Sequence, residues 1–362
     1  MQRILVIGAG QIGSLISFLF ASSGKYQVYL ADLDPKNGNM ARLPQLPSLE
    51  MVKLDASQAK ELDAFLNKTP VDAVVSSLPY YANLPVAQAA KRFKLHYFDL
   101  TEDVATTEAI RELSQGSPKA YVPQCGLAPG FISIVANHLL SHFPDEVEAV
   151  KLRVGALPTN ISNALNYAFT WSIEGLINEY GNPCQALSNG KEVFLPPLDD
   201  VEELVIDGLA YEAFNTSGGV GSLASSCRNK VKHLTYKTIR YPGHCAKFRF
   251  LMNDLQLNED RETLKHILQK SLPRIEQDVV LVYVSVCGKQ NGQLKEEHYV
   301  RKFYPKTVGN LTWTAIQMTT ASSLCAILDL VLAKADQFSG FVRQEQFDLP
   351  ELTSNAFGAY YA

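Results

Sequence analysis

Three glycines near the start of the chain have the spacing of a phosphate-binding turn. Gly8, Gly10 and Gly13 follow one short apolar run and precede a second one. In a strand–turn–helix of this kind the first glycine makes the turn and the second lets a diphosphate touch the backbone. The third lets helix and strand pack closely, and the amides at the helix start hold the phosphates. The pattern therefore predicts a dinucleotide site, to which Gln11 and Ile12 also belong.

An acidic residue follows the next predicted strand, residues 26–31. Asp32 lies nineteen positions after Gly13. A carboxylate at this point accepts hydrogen bonds from the adenosine ribose hydroxyls. Because its charge would repel a 2′-phosphate, we expect NAD as the cofactor, with NADP as the alternative.

Length and charge narrow the class of protein. A chain of 362 residues is longer than one ordinary domain, so we expect two. The net charge of -4 gives no electrostatic reason to expect nucleic acid or a membrane surface as a partner. The longest uncharged run, residues 307–328, keeps its apolar side chains on one helical face. It predicts a packed helix and no membrane span.

The cysteines point to a reducing compartment. The chain has six, and none forms a C-x-x-C pair. We expect free thiols, no zinc or other metal site, and, without a recognisable targeting segment, a cytoplasmic protein.

Strands and helices alternate over the first 125 residues. Apolar strand patterns at 49–54, 71–77, 96–100 and 120–123 are separated by helical patterns such as 83–93 and 107–115. This alternation predicts an α/β fold, a Rossmann-type doubly wound parallel sheet. Ligands bind such sheets at the carboxyl ends of the strands. Besides the glycine turn, this rule places seven more residues at that edge. The predicted cofactor contacts among them are Asp55, Ser77, Leu78, Pro79 and Thr101, and the other two are Asp99 and Cys125.

The pattern changes at about residue 131. Strands are predicted at 147–154, 165–170, 278–287 and 294–304, with hairpin turns at Asn189-Gly190 and at 288–293. Helices are predicted at 173–180, 222–230 and 246–255. This indicates an α+β domain with a mixed, mostly antiparallel sheet, spanning residues 131–311. A final helix at 312–333 is expected to return to the first domain, so that 312–362 completes 1–130.

Several short strings then resemble a known family. They are Cys125-Gly126-Leu127-Ala128-Pro129-Gly130, Phe169-Thr170-Trp171-Ser172, Glu179-Tyr180, Ser188-Asn189-Gly190-Lys191, Asn215-Thr216-Ser217-Gly218-Gly219 and Thr238-Ile239-Arg240-Tyr241-Pro242-Gly243-His244. In this order they resemble the saccharopine dehydrogenase family over nearly the whole chain. The resemblance implies a Rossmann domain with an α+β catalytic and dimerisation domain, and hence a homodimer.

The resemblance also implies an activity. Family members are NAD(P)-dependent oxidoreductases that act on the C–N bond at the ε-nitrogen of a lysine-derived amino acid, so the expected partner is a small amino-acid substrate such as saccharopine. Three alternatives stay open. They are a lysine 6-dehydrogenase, a carboxynorspermidine-type polyamine dehydrogenase, and a dinucleotide-binding regulatory protein without catalysis.

Such a reaction needs a proton acceptor and a cation. The pKa of a free ε-ammonium group is about 10.4. Before hydride leaves, a base must accept its proton, or an apolar site must lower its pKa so that the proton is lost. Arg240 lies within the family pattern and is our first candidate to bind a substrate carboxylate, the alternative being a salt bridge at a strand edge. His244 is the candidate base or substrate contact, with its pKa lowered at a helix start. A helix-capping histidine is the alternative.

Four further residues complete the candidate site. Asp99 could hold the amine or orient a water, or only order its loop. The Cys125 thiol could touch nicotinamide or substrate, or be a small buried residue. Trp171 would form an apolar wall, either of the core or of the pocket. Thr216 precedes a glycine turn that could present N–H groups to a carboxylate, the alternative being a cap for the helix near residue 222.

Overall fold

The computed structural model describes residues 1–34 and 38–362. The chain divides into two compact units. The first contains Met1–Phe131 and Gln317–Ala362, and the second contains Ile132–Ile316. The domain limits predicted from the sequence, 130/131 and 311/312, lie within a few residues of these.

The first unit is built on a parallel sheet. Within the described residues it has seven strands in the order β17-β6-β5-β4-β1-β2-β3, which confirms the predicted Rossmann-type doubly wound sheet. The strands are β1 Gln2–Ile7, β2 Tyr26–Asp32, β3 Leu49–Lys53, β4 Ala73–Ser76, β5 His96–Asp99, β6 Ala120–Val122 and β17 Gly340–Phe341. The central strands are continuous apolar runs because helices cover both faces of such a sheet. Ile4, Leu5 and Val6 of β1, for example, are fully buried.

Helices connect these strands. They are α1 Gln11–Ser22, α2 Gly38–Arg42, α3 Ala59–Lys68, α4 Asn83–Phe93 and α5 Val104–Leu113, with a 3-10 turn at Tyr80–Ala82. The C-terminal segment adds α11 Ala315–Ala333, α12 Leu349–Ser354 and 3-10 turns at Gln344–Gln346 and Gly358–Tyr361. Strand β17, which the sequence pattern did not indicate, pairs in parallel with β6.

Helix α11 has the length and apolarity of a membrane span. Of its most apolar window, however, 89% is buried inside the protein. A core helix of a folded unit satisfies the same criteria of length and composition, and the burial fits the packed helix predicted from the sequence.

The second unit is built on a mixed sheet. Its path runs β10-β11-β12-β7-β13-β14, and the β8–β9 hairpin attaches through β12. Only the β12–β7 pair is parallel among the described pairs of this sheet. The strands are β7 Val147–Pro158, β8 Cys184–Ser188, β9 Lys191–Leu195, β10 Glu202–Ile206, β11 Leu209–Asn215, β12 Val231–Arg240, β13 Asp278–Gln290 and β14 Gln293–Phe303, with a separate pair β15 Lys306–Val308 and β16 Leu311–Trp313.

Short helices accompany this sheet. They are α6 Phe131–Leu140, α7 Ile173–Gly181, α8 Leu223–Cys227, α9 His244–Arg249 and α10 Arg261–Ser271, with a π turn at Phe250–Asp254. Both predicted hairpins are confirmed. Asn189-Gly190 joins β8 to β9 and Asn291-Gly292 joins β13 to β14, in each case with positive φ at both turn residues.

The predicted strand at 165–170 is wrong. The segment is a loop with an isolated bridge from Phe169 to Arg274, and Asn166 has a φ of 54°. The side chain of Asn163 closes the loop by donating to the Tyr167 carbonyl at 2.6 Å. The residues are apolar because Tyr167 and Phe169 belong to a buried cluster with α7 and α10, and burial alone does not distinguish a strand from a packed loop.

Two helix limits are also corrected. The last long helix begins at Ala315 rather than at residue 312, because Leu311–Trp313 pairs with Lys306–Val308 and the Asp278 carboxylate accepts the N–H groups of Ala315 and Ile316. The helix predicted at 222–230 is limited to α8, Leu223–Cys227.

Candidate functional site

The glycine turn of the first unit has no room for side chains at two positions. A Cβ added at Gly13 would lie 1.9 Å from the Gly8 carbonyl oxygen. One at Gly8, whose φ is +99°, would lie 2.6 Å from the Ser77 carbonyl oxygen and 3.1 Å from Leu78. The turn therefore packs directly against the end of β4, and Ser77 and Leu78 form its inner wall.

Gly10 differs, because a Cβ there would meet no atom within 4 Å. Gly10 precedes α1, and no described side chain caps this helix. The first helical bond runs from the Ser14 amide to the Gly10 carbonyl at 3.0 Å, so the amides of Gln11, Ile12 and Gly13 precede the helical ladder. Within residues 1–34 and 38–362 these three amides have no hydrogen-bond partner, and open space in front of them fits the diphosphate of a dinucleotide.

Asp32 lies at the same turn. Its Oδ2 accepts the Ala9 amide at 2.7 Å and its Oδ1 accepts the Asp34 amide at 3.1 Å. These bonds tie the end of β2 to the glycine turn and fix the carboxylate there. Contact with a ribose stays a prediction.

The other predicted cofactor contacts make local turns. Asp55 follows β3, and its Oδ1 accepts the Ser57 amide at 2.9 Å. Pro79 precedes the 3-10 turn after β4. Thr101 is buried, and its Oγ1 accepts the Asp103 amide at 3.1 Å ahead of α5. All three follow sheet strands, as predicted, and their contact with a cofactor stays a prediction.

Asp99 is completely buried at the end of β5. Its Oδ1 accepts the amides of Thr101 (2.9 Å) and Gln124 (3.1 Å), and its Oδ2 accepts the Tyr97 hydroxyl (2.7 Å). Burial raises the pKa of Asp99 to about 6, although these three hydrogen bonds act in the opposite direction. The contacts are those of the loop-ordering alternative, because they join the ends of β5 and β6.

Cys125 is buried beyond β6. Its Sγ lies 2.9 Å from the Val122 carbonyl, to which the thiol donates. Burial raises the pKa of this thiol well above its usual range, so it stays protonated. Gln344 of the C-terminal segment donates to the Pro123 carbonyl at 2.8 Å and lies 3.6 Å from Sγ. These contacts match the alternative of a small buried residue.

In the second unit one face of β12 brings the family strings together. Alternate residues of a strand share a face, and Tyr236, Thr238 and Arg240 do so here. The Thr238 hydroxyl bonds the Thr216 hydroxyl at 2.7 Å, and a Cβ at Gly219 would lie 2.3 Å from the Tyr236 ring. Thr216 therefore anchors its loop to β12. The alternative role of Thr216 as a helix cap is wrong, because Ser222 is the residue that precedes α8.

Arg240 is 2% exposed. Its Nε donates to the Tyr180 hydroxyl at 2.9 Å, and its Nη1 donates to the Ile239 carbonyl at 2.8 Å. The guanidinium carbon lies 5.0 Å from the centre of the Tyr167 ring, a cation–π distance. The alternative of a strand-edge salt bridge is wrong, because β12 lies between β11 and β7.

His244, the first residue of α9, is completely buried. Its Nδ1 lies 2.8 Å from the Leu165 carbonyl and its Nε2 lies 3.1 Å from the Tyr180 hydroxyl. Burial, and then the nearby Arg240 charge, lower the pKa of His244 to about 3. The capping alternative is wrong, because the Glu212 carboxylate accepts the amides of Gly243 (2.7 Å) and Cys245 (2.6 Å).

Trp171 is half-buried just ahead of α7. Ser172 caps this helix, since its Oγ accepts the Gly175 amide at 3.1 Å. A Cβ at Gly175 would lie 2.3 Å from the indole, so the ring packs directly against the first turn of the helix. Trp171 also contacts the buried cluster of this unit, and its role as a pocket wall stays a prediction.

Sequence reasoning missed three residues that organise this group. Tyr180 stood in a quoted string but had no assigned role, and Tyr167 precedes the Trp171 string without a motif of its own. No sequence pattern indicates the role of Glu212, because its buried carboxylate caps a helix through amides 31 and 33 residues later in the chain.

Comparison with known proteins identifies the family of this chain. A family model described as the saccharopine dehydrogenase NADP binding domain matches residues 4–123. The alpha-aminoadipic semialdehyde synthase of Rattus norvegicus is 24% identical over 53% of this chain and 21% of its own length. A saccharopine dehydrogenase [NADP(+), L-glutamate-forming] of Pyricularia oryzae is 25% identical over 66% of this chain and 54% of its own length. The chain thus spans about a fifth to a half of these relatives.

A solved structure shows the same fold. The saccharopine dehydrogenase (L-Glu forming) of Saccharomyces cerevisiae superposes with a TM-score of 0.77 and 16% identity, over 97% of this chain and 95% of that one. A second family model, described as the saccharopine dehydrogenase C-terminal domain, matches residues 126–358, more than half of the chain. Together with the glycine turn and the β12 strings, these matches confirm the resemblance, and the chain belongs to the saccharopine dehydrogenase family.

Proposed function

We propose that the protein is a nicotinamide dinucleotide-dependent oxidoreductase that acts on the C–N bond of a lysine-derived amino acid, saccharopine or its products. The observation that carries the proposal is the open cradle at Gly10, in front of the first amides of α1, for which the described residues offer no hydrogen-bond partner. The buried cation Arg240 in the second unit supports it, because the proposed substrate carries carboxylates.

The cofactor part of the proposal rests on the first unit. The amides of Gln11, Ile12 and Gly13 would hold the diphosphate, and Asp32 would meet the adenosine ribose. A bound nicotinamide supplies the acceptor for the hydride that leaves the carbon bonded to the substrate nitrogen. Loss of hydride from a neutral amine leaves a substrate iminium, which water converts into a carbonyl compound and a free amine.

The residues of the second unit would orient the substrate. Arg240 would bind a carboxylate through N–H groups that have no partner among the described residues, and Tyr167 and Trp171 would limit the apolar side of the substrate. Thr216 and the following glycines are the second candidate for a carboxylate contact. Anchoring at the carboxylates fixes the C–H bond without involving the reacting nitrogen.

A direct assay tests the function. The protein is mixed with NAD or NADP and with saccharopine, lysine or carboxynorspermidine at alkaline pH, and the absorbance of reduced nicotinamide is followed. Turnover of saccharopine is expected. Turnover of lysine alone would favour the lysine 6-dehydrogenase alternative, turnover of carboxynorspermidine alone the polyamine alternative, and dinucleotide binding without turnover of any substrate the regulatory one.

We propose NAD as the preferred cofactor, because the Asp32 carboxylate is fixed at the glycine turn by the amides of Ala9 and Asp34. NADP is the second candidate, because the matching domain model and the Pyricularia oryzae relative carry NADP in their descriptions. A higher kcat/KM with NAD in the assay would support the first, and a higher value with NADP the second.

We also propose that the protein works as a cytoplasmic homodimer. None of its six cysteines, which all lie in the described part of the chain, forms a disulfide, and this suits a reducing compartment. Large apolar side chains of the second unit, including Phe194, Val205 and Leu209, are more than half exposed. A sedimentation mass of twice 40.0 kDa would support the dimer.

A further inference from the structure

A chain of three hydrogen bonds leads from the Leu165 carbonyl to Arg240, and its chemistry fixes every proton. A carbonyl only accepts, so Nδ1 of His244 carries a hydrogen and donates it to Leu165 at 2.8 Å. Nε2 of the neutral ring then accepts the Tyr180 hydroxyl at 3.1 Å. The Tyr180 oxygen keeps a lone pair, which accepts the Arg240 Nε–H at 2.9 Å.

The arrangement holds one edge of the guanidinium group and leaves another available. Nε is bound to Tyr180 and Nη1 to the Ile239 carbonyl, while the Tyr167 ring lies against the guanidinium at 5.0 Å. In the described part of the chain Nη2 has no hydrogen-bond partner. The position of Nη2 is therefore set by groups that bind the rest of the side chain, and Nη2 with the second Nη1 hydrogen can form a fork to a carboxylate.

We propose that Tyr180 and His244 are positioning residues, which hold the Arg240 guanidinium ready for a substrate carboxylate, and that His244 is not the proton acceptor of the reaction. This inference rests on the proposed function. Both ring nitrogens of His244 are already bound to protein groups, and the ring is completely buried, so it presents no lone pair to a substrate.

The surroundings keep this histidine neutral. The charged and titratable groups around it are Arg240 on β12, Lys247 on its own helix, the tyrosines Tyr167 and Tyr180, and Glu212 on β11, while Phe214 and Phe248 stack on its ring. The Glu212 carboxylate binds the amides of Gly243 and Cys245, and the ring nitrogens of His244 bind a carbonyl and a hydroxyl, so no carboxylate bonds to the imidazole. Burial also raises the pKa of Tyr180 well above its usual range. The hydrogen-bond chain thus keeps one proton arrangement over the working pH range.

The first test is Tyr180→Phe, which removes the oxygen that receives the Arg240 Nε–H and leaves the ring in place. We expect the KM for the amino-acid substrate to rise about tenfold while kcat and the KM for the dinucleotide change less than about twofold. The matched control is Tyr241→Phe, which removes a tyrosine hydroxyl bonded to the Pro158 carbonyl at 2.8 Å, and its substrate KM should not change. A fall in kcat at constant substrate KM for Tyr180→Phe would overturn the proposal.

The second test asks whether Tyr180 acts through Arg240. Arg240→Lys keeps the charge and removes the Nε donor, so adding Tyr180→Phe to it should raise the substrate KM no further. If the effects of the two substitutions multiply, Tyr180 does not act through Arg240 and the inference is wrong.

The third test needs no turnover. Nitrogen-15 NMR of labelled histidines, with His244→Gln used to assign the signal, should show a neutral Nδ1–H ring for His244 from about pH 5 to pH 8. Titration of His244 in that range would overturn the inference even if the variants fold poorly. A wild-type protein that turns over no substrate but shows this fixed ring would contradict the proposed function and leave the hydrogen-bond chain intact.

Discussion

Asp99 shows how much a single buried carboxylate can do for a turn. It accepts two amides and a tyrosine hydroxyl at the ends of β5 and β6, and it does so with no exposed surface. Because burial raises its pKa to about 6, the folded protein holds a proton that the unfolded chain releases at lower pH. The stabilisation linked to that proton is complete below an unfolded pKa of 3.8 and is lost as the pH rises through 6.

We therefore expect Asp99→Asn to stabilise the first unit at alkaline pH. The asparagine oxygen can still accept the Thr101 and Gln124 amides, and no charge is buried. Relative to wild type, the free energy of unfolding should rise by up to roughly 3 kcal/mol near pH 8, with a much smaller gain near pH 4. Urea unfolding at the two pH values measures this. An equal change at both would contradict the assigned pKa.

At the scale of elements, the glycine turn separates folding from binding. A Cβ added at Gly13 would lie only 1.9 Å from the Gly8 carbonyl oxygen, whereas a Cβ at Gly10 would point into open space. Gly10 also has a φ of -65°, which alanine adopts readily. The same motif therefore contains one glycine required by packing and one that leaves space for a ligand.

Two alanine variants test this division. Gly10→Ala should keep the free energy of unfolding within about 0.5 kcal/mol of wild type but weaken dinucleotide binding at least about tenfold. Gly13→Ala should destabilise the unit by about 2 kcal/mol or more, because the backbone must move. Calorimetric titration and thermal unfolding measure the two effects. Normal dinucleotide affinity in Gly10→Ala would remove the cradle from the proposed site.

At the scale of the molecule, each unit contains a histidine that folds in its neutral form. Burial lowers the pKa of His96 in the first unit to about 4, and that of His244 in the second to about 3. The unfolded chain binds a proton at each near pH 6.5. Stability linked to both groups is therefore complete above that pH and is lost as the pH falls toward the folded pKa values.

We expect the free energy of unfolding to fall as the pH is lowered from about 7 to about 5. In the first unit, His96 should account for about 2 kcal/mol of this loss. His96→Asn should remove most of that share, because an amide oxygen can replace Nδ1 as acceptor of the Ala120 amide at 3.2 Å and does not titrate. His233→Asn, on an exposed strand position, is the matched control. Urea unfolding at several pH values across this range measures the slope of the unfolding free energy with pH. The same slope in His96→Asn as in wild type would contradict the prediction.

The sequence by itself determined the features that depend on local spacing. The glycine turn, the alternation of strands and helices, and both Asn-Gly hairpins follow from short-range patterns, because backbone conformation and burial repeat with fixed periods. The same patterns failed at 165–170, where a buried loop is as apolar as a strand. They also gave Tyr180 no role.

Only the tertiary structure decided how the chemical groups are used. Arg240 meets Tyr180 across 60 positions of the chain, and His244 meets Leu165 across 79. Such pairs form because α7, α9 and the loop at 165–170 share one buried cluster, and Arg240 of β12 lies against its Tyr167 and Tyr180. No local period records which side chains will meet there. Burial then changed the chemistry of His244 from a candidate base into a neutral hydrogen-bonding residue.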